Sequence, residues 1–381
     1  MCSDFSMKFV DRSHSDSTKW HKYRDRDVIP LWVADTDFLS PPAVIEALQQ
    51  RVTHGVFGYG TPPPELTGLI VERMRNRYQW AIRPEWIVYL PGLVCGLNLA
   101  MRTFTEPHQA AIIPTPLYPP FAEAANYAGR HVYSAPLHEK GNRLCLDLTA
   151  AEPALNGDQA LLFLCNPHNP GGTVYRRDEL EQQHAFAQHH DLVVCSDEIH
   201  CDLILEPGCR HIPFASLNRD AEQRTLTLMA PSKTFNLAGL GASFAIIANP
   251  ALRHRFKQQR RGVVPHVDIL AFVAATAAYR DGEAWLAAQL AYLRDNRDLV
   301  MARINALPGL RMLPLEATYL AWIDASALPV ESPYRFFLAA GVGLTDGAGF
   351  GDARFVRLNF GCPRALLEEA LTRIERAVAA L

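Results

Sequence analysis

Between about Trp86 and about Ala248, short apolar runs alternate with stretches of helical period. The runs are Trp86–Leu90, Ala110–Pro114, Leu161–Cys165, Leu192–Ser196, Thr225–Met229 and Ala242–Ala248, and Arg177–His190 is one of the helical stretches between them. Such alternation predicts an α/β fold, a mostly parallel sheet with helices on both faces. The runs lack a clean apolar–polar rhythm, as expected of strands covered on both sides.

The two ends read differently. Ser40-Pro41-Pro42 opens a helix, with Ser40 predicted as N-cap and Pro41 at the first position. Val44, Ile45, Leu48 and Val52 then mark one apolar face. From Glu283 to about Leu307 runs a long helical pattern that Pro308-Gly309 ends. Strand-like Tyr319–Asp324 and Phe355–Asn359 follow, then a last helix from Pro363 to Leu381. This tail predicts a smaller α+β domain. A chain of 381 residues exceeds what one core supports, so two domains are expected. The predicted division is a large domain over 48–285 and a small one over 286–381, which the segment 1–47 joins.

Bulk properties narrow the function. A formal charge of −3, without charged blocks, gives no basic surface for a nucleic acid. No apolar stretch approaches membrane-spanning length, and the polar start Met1–Arg26 does not read as a signal peptide. The cysteines (Cys2, Cys95, Cys145, Cys165, Cys195, Cys201, Cys209, Cys362) form no Cys-x-x-Cys pair and read as free thiols of a reducing cytoplasm. His184, His189 and His190 lie close together on a polar helical stretch, without a His-Glu-x-x-His pattern. They read as a solvated face, and no metal is expected.

Three polar clusters sit at the carboxyl ends of apolar runs, where open α/β sheets bind their ligands. They contain Asn169 in Cys165–Gly172, Asp197 in Val193–His200 and Lys233 in Pro231–Leu237. A lone lysine is more often solvated, but one partly buried at a strand end loses its proton readily and can condense with an aldehyde. An aspartate after Val193-Val194-Cys195 is poorly solvated and wants a cation; the commoner alternative is a helix N-cap. A protonated pyridine nitrogen is such a cation. Asn169 lies between prolines with Gly171-Gly172 behind it, either a simple turn asparagine or a fixed amide donor. Lysine, aspartate and asparagine so placed suggest a site for pyridoxal phosphate. Glu198 reads as a brace for its loop.

Together these segments resemble the fold-type-I pyridoxal-phosphate enzymes over nearly the whole chain. Asn166-Pro167-x-Asn169-Pro170-x-Gly172, Asp197-Glu198 and Ser232-Lys233-x-Phe235 occur in that family's order and spacing. The resemblance implies that Lys233 binds the aldehyde, Asp197 pairs with the pyridine nitrogen and Asn169 binds the phenolate oxygen. It further implies a phosphate site at Leu93 and Val94, cofactor contacts from His200 and Ser232, and stacking by Tyr118. Arg357 matches the arginine for the substrate α-carboxylate, with the backbone of Ala34 across it. Tyr59 matches a tyrosine that reaches the neighbouring subunit's phosphate, which implies a homodimer with shared active sites.

Within that family most aminotransferases carry tyrosine, arginine and serine where this chain has His200, Gly241 and Ala230. The pattern is similar instead to the MalY/PatB-type cystathionine β-lyases (C–S lyases). Their segments appear at Trp32–Phe38, Asp197–His200, Lys233–Leu240, Thr318–Trp322 and Val356–Arg364. Gly171, Thr173 and Val263-Val264-Pro265-His266 depart from it. The implied reaction is α,β-elimination on an amino-acid substrate. Lys233 takes the Cα proton, a thiolate leaves Cβ, and a thiol, pyruvate and ammonia result. The alternatives are an aminotransferase and a regulatory protein acting through protein contact.

Overall fold

A computed structural model describes residues 7–381. Its centre is an 8-stranded sheet in the order Ile87–Leu90, Ser243–Ile246, Thr225–Met229, Val193–Asp197, Gln159–Cys165, Ala110–Thr115, His131–Lys140, Arg143–Leu146. From Thr225–Met229 across to His131–Lys140 neighbouring strands run parallel. The edges add antiparallel pairs. Thr225–Met229 is buried along its whole length, which explains a sequence with no charged residue, Thr225 and Thr227 being its polar side chains.

Helices cover both faces. Leu93–Phe104 packs against the sheet, and Gly96 sets how closely: a Cβ there would stand 2.9 Å from a Leu228 methyl. On the other face, Leu66, Ile70 and Met74 of helix Pro64–Tyr78 join Ile246, Phe244 and Met229 in a second core. The C-terminal lobe holds a 4-stranded antiparallel sheet ordered Arg311–Met312, Leu320–Asp324, Phe355–Asn359, Thr345–Asp346. Ile29–Pro30 pairs with Val342–Gly343, so the N-terminal segment is hydrogen-bonded into that lobe. The borders expected at 47/48 and 285/286 fall inside helices Pro42–Thr53 and Glu283–Asn305.

Some local expectations are corrected. Pro41, not Ser40, occupies the N-cap position of helix Pro42–Thr53, because the Ser40 hydroxyl donates across the chain to the Asn236 carbonyl at 3.0 Å. His184 is buried rather than solvated, with Nε2 2.8 Å from Asp220. The hairpin His131–Lys140 and Arg143–Leu146 escapes the sequence reading because its outer residues are polar and exposed. Cys2 lies outside the described residues; Cys95, Cys145, Cys165, Cys195, Cys201, Cys209 and Cys362 are free. Among the described residues no helix is long and apolar enough to cross a membrane.

Candidate active site

The carboxyl ends of the central strands open on a cavity of about 210 Å³. Asp197 ends Val193–Asp197, Asn169 lies in the turn after Gln159–Cys165, and Lys233 follows Thr225–Met229. Leu93 and Val94 begin the helix that follows Ile87–Leu90. All of these line the cavity, together with His200, Tyr118, Ser232 and Ala34. Parallel strands thus deliver side chains far apart in sequence to one edge, as the topology requires.

Lys233 points its Nζ at the Ala34 carbonyl, 2.6 Å away. Burial pushes its amine down to about 8, with Arg357 acting in the same sense; Asp35 and Asp197 oppose. Burial likewise pushes Asp197 up to about 7, and neighbouring Glu198 adds to this. The Ile199 N–H, 3.0 Å from Oδ1, and the Lys233 charge work the other way. Asp197 is thus a poorly solvated carboxylate with one backbone donor and no bonded cation among the described residues. Glu198 braces its loop: it accepts from Ser196 Oγ at 2.9 Å and the Phe214 N–H at 3.0 Å, and lies 2.7 Å from His211 Nε2.

The turn bearing Asn169 is fixed by its neighbours. The His168 N–H donates to the Thr173 carbonyl at 2.8 Å, and the Gly172 N–H to the His168 carbonyl at 2.7 Å. Burial pushes His168 down to about 4, so its ring is neutral at pH 7. Its Nδ1 accepts from the Gly171 N–H at 3.1 Å, and Nε2 donates to the Pro116 carbonyl at 3.0 Å. Asn169 Oδ1 accepts from Arg357 Nη1 at 2.9 Å, which leaves the amide hydrogens on Nδ2 for another acceptor.

Arg357 is 4% exposed and lies 4.8 Å over the Phe350 ring. Its Nη2 donates to the Trp32 carbonyl at 3.2 Å, while its buried Nε has no partner. Burial lowers it to about 10, so it stays cationic at neutral pH. His200 is pushed down to about 3 by burial first and then by Lys233 and Arg357, so the imidazole is neutral. Its Nδ1 is buried without a partner, and the ring meets Tyr319 edge-on at 6.3 Å.

Tyr59 is not brought to this cavity. It stands fully exposed on a loop beside exposed Val56 and Phe57. Gly241 adopts φ +67°, and a Cβ there would lie 2.5 Å from the Pro91 carbonyl oxygen. The chain therefore has no room for the arginine that aminotransferases carry at this position. Tyr319 and Ser243 went unrecognised. Tyr319 donates its hydroxyl to the Ala34 carbonyl at 3.0 Å, and Ser243 lines the cavity. In sequence Tyr319 is only the start of an apolar strand, indistinguishable from a core tyrosine.

The aminotransferase class I and II family matches residues 26–374. The chain belongs to that family. Cystathionine β-lyase PatB of Bacillus subtilis is 38% identical over 97% of this chain and 99% of its own. The crystal structure of OvoB shares 58% identity with a TM-score of 0.98, and all of each chain is covered. Cystalysin of Treponema denticola, solved with pyridoxal 5′-phosphate, shares 34% identity with a TM-score of 0.93, again over all of each chain. The architecture is accordingly fold type I of the pyridoxal-phosphate enzymes, with the small antiparallel sheet as its second lobe.

Proposed function

We propose that this chain is a pyridoxal-phosphate-dependent C–S β-lyase. It cleaves cystathionine or related cysteine S-conjugates to a thiol, pyruvate and ammonia. The carrying observation is one cavity that joins a depressed lysine amine and a buried carboxylate lacking a cation, with a buried arginine, bonded to the cavity's Asn169, that has a spare donor. The lining fits the cofactor. Helix Leu93–Phe104 has no side-chain cap, which leaves its first N–H groups for a phosphate. Asp197 would supply the charge for a pyridinium, Asn169 Nδ2 would suit a phenolate oxygen, and Tyr118 would offer its ring to the cofactor's.

When bound, pyridoxal phosphate supplies an aldehyde and a cationic conjugated ring that withdraws electron density from Cα. The chain's own groups do the rest. Arg357 binds the substrate carboxylate through its planar fork and so orients Cα. Lys233, freed as the amine, takes the Cα proton onto Nζ; an amine pushed down to about 8 is a fair base near neutral pH. Neutral His200 adds no charge beside Lys233, and the Ala34 carbonyl steadies the ammonium that forms. A thiolate at Cβ then departs, being a far better leaving group than hydride or alkoxide.

Transamination is the second reading, since the family includes aminotransferases. Gly241 and His200 favour elimination. Incubation with L-cystathionine decides between them: pyruvate without any added keto acid is the lyase outcome, and a strict need for an acceptor refutes it. Borohydride reduction should fix the cofactor on Lys233, found by peptide mass mapping.

The two lobes enclose the site as two domains, and the functional unit is a homodimer. Exposed Val56, Phe57, Tyr59 and Val263 offer an apolar surface for the second copy. Tyr59, unused in its own cavity, serves the partner's phosphate. Mixing Lys233→Ala with Tyr59→Phe chains should then yield hybrids with one intact site. The free thiols suit a reducing cytoplasm.

A further inference from the structure

Both cations of the site are held by one short strap of irregular backbone, Trp32–Asp37. The Trp32 carbonyl accepts from Arg357 Nη2 at 3.2 Å and from Thr345 Oγ1 at 2.7 Å. The Ala34 carbonyl accepts from Lys233 Nζ at 2.6 Å and from the Tyr319 hydroxyl at 3.0 Å. Asn359 Nδ2 donates to the Val33 and Asp35 carbonyls, each at 2.6 Å. No β-ladder fixes residues 32–37; the Asp37 N–H donates to the Gly361 carbonyl at 2.9 Å and the Asp35 N–H to the Val33 carbonyl at 3.0 Å, and side chains hold the rest of this backbone.

Asn236 holds Thr36, accepting from its N–H at 3.2 Å and donating to its carbonyl at 3.0 Å, and the N-terminal arm supplies a further set of side chains. Lys19 is fully buried and pairs with Asp37, itself 2% exposed, at 2.7 Å. Trp20 Nε1 donates to the other Asp37 oxygen at 3.1 Å. Arg12 reaches Asp37 at 3.1 Å, the Thr36 carbonyl at 3.1 Å and Asp35 at 2.8 Å. The indole of Trp32 closes the loop by donating to the Lys19 carbonyl at 3.0 Å. A buried ammonium is costly unless paired, so Lys19 and Asp37 hold each other in one geometry.

We infer that Lys19 is a positioning residue, fixing through Asp37 the strap whose carbonyls set Lys233 and Arg357. This rests on the roles proposed above for those two residues. The clasp also fixes Asp35, whose carboxylate is the strongest opposing charge on Lys233. Asp197, His200 and Arg357 face the same amine from the large sheet, the turn after it and the small sheet. Asp197 and His200 bond to neither the strap nor the clasp, whereas Arg357 bonds the Trp32 carbonyl, so loosening the clasp reaches Lys233 through the strap and through Arg357.

The test is Lys19→Met in the holoenzyme, compared with wild type by hydrogen exchange, visible spectrum and ligand binding. Residues 32–37 should exchange faster. A looser strap admits water, and Asp37 loses a compensating charge; both favour the protonated nitrogen on Lys233. The pH midpoint of the visible band should therefore rise by about one unit. Affinity for L-alanine, a carboxylate ligand with no leaving group at Cβ, should fall about tenfold, the scale of one charge-assisted hydrogen bond. A lower melting temperature with midpoint and affinity unmoved would show a merely structural lysine and overturn the inference. If Lys19→Met does not fold, Trp20→Phe deletes one bond to Asp37 and keeps the packing; an unmoved midpoint there also overturns it. Wild-type protein that borohydride does not label on Lys233 refutes the proposed function instead, and strap exchange still reports on the clasp.

Discussion

Arg357→Lys keeps a positive charge at the carboxylate site and removes the fork. In the wild type Nη1 is committed to Asn169 at 2.9 Å and Nη2 to the Trp32 carbonyl at 3.2 Å, while buried Nε is unpartnered. A lysine has its donors on one atom and cannot satisfy Asn169, Trp32 and a substrate carboxylate in that planar spacing. At least one charge-assisted hydrogen bond is lost, worth about 1.5–3 kcal/mol. That converts to a fall of about 10- to 150-fold in kcat/KM. The carboxylate keeps its charge while the Cβ–S bond breaks, so ground state and transition state lose alike. The loss should therefore fall on KM, with kcat within a few-fold of wild type. Pyruvate release from L-cystathionine, followed by coupling to lactate dehydrogenase, gives both constants. A KM within about threefold of wild type would refute the carboxylate role; a collapsed kcat with unchanged KM would move Arg357 into the chemistry itself.

Three further outcomes follow from the site. Because Lys233 must be a free amine to take the proton and burial lowers it to about 8, kcat should climb with pH and level off above about 8; a flat profile from pH 6.5 to 9 would count against Lys233 as base. Asp197 is pushed up to about 7 by burial and must be ionised to pair with a pyridinium, so cofactor affinity should weaken as pH falls below about 7, by up to about tenfold per unit. Fluorescence titration of the apoprotein checks this, and Asp197→Asn should bind weakly with that pH dependence gone. Gly241→Ala places a Cβ in left-handed backbone, costing about 1–2 kcal/mol, and drives it against the Pro91 carbonyl just before helix Leu93–Phe104, the proposed phosphate site. Both melting temperature and cofactor affinity should drop, and an unchanged affinity would separate Gly241 from the phosphate site.

Six of the eight strands of the large sheet are legible because they are largely buried, leaving apolar runs with little to confuse them; the more exposed hairpin His131–Lys140 and Arg143–Leu146 is not. Thr225–Met229 matches its predicted span, and the strand expected at Trp86–Leu90 begins one residue later, at Ile87. Lys233, Asp197 and Asn169 are legible for a related reason: each is a polar residue at or beyond the carboxyl end of a run without charged residues. Gly241 is legible only as a departure from a pattern; its cause, a backbone pressed against Pro91, lies in the tertiary structure. Lys19 is harder still. In the polar stretch Met1–Arg26 it looks like any solvated lysine, and only the tertiary structure shows it buried and paired with Asp37, eighteen positions on. The strap carries the least signal of all. Ala34 and Trp32 hold Lys233 and Arg357 by main-chain oxygens, and every residue has a carbonyl to offer. Residue type cannot say which carbonyl is used; the path of the backbone does, and that path is set by side chains as distant in sequence as Asn359.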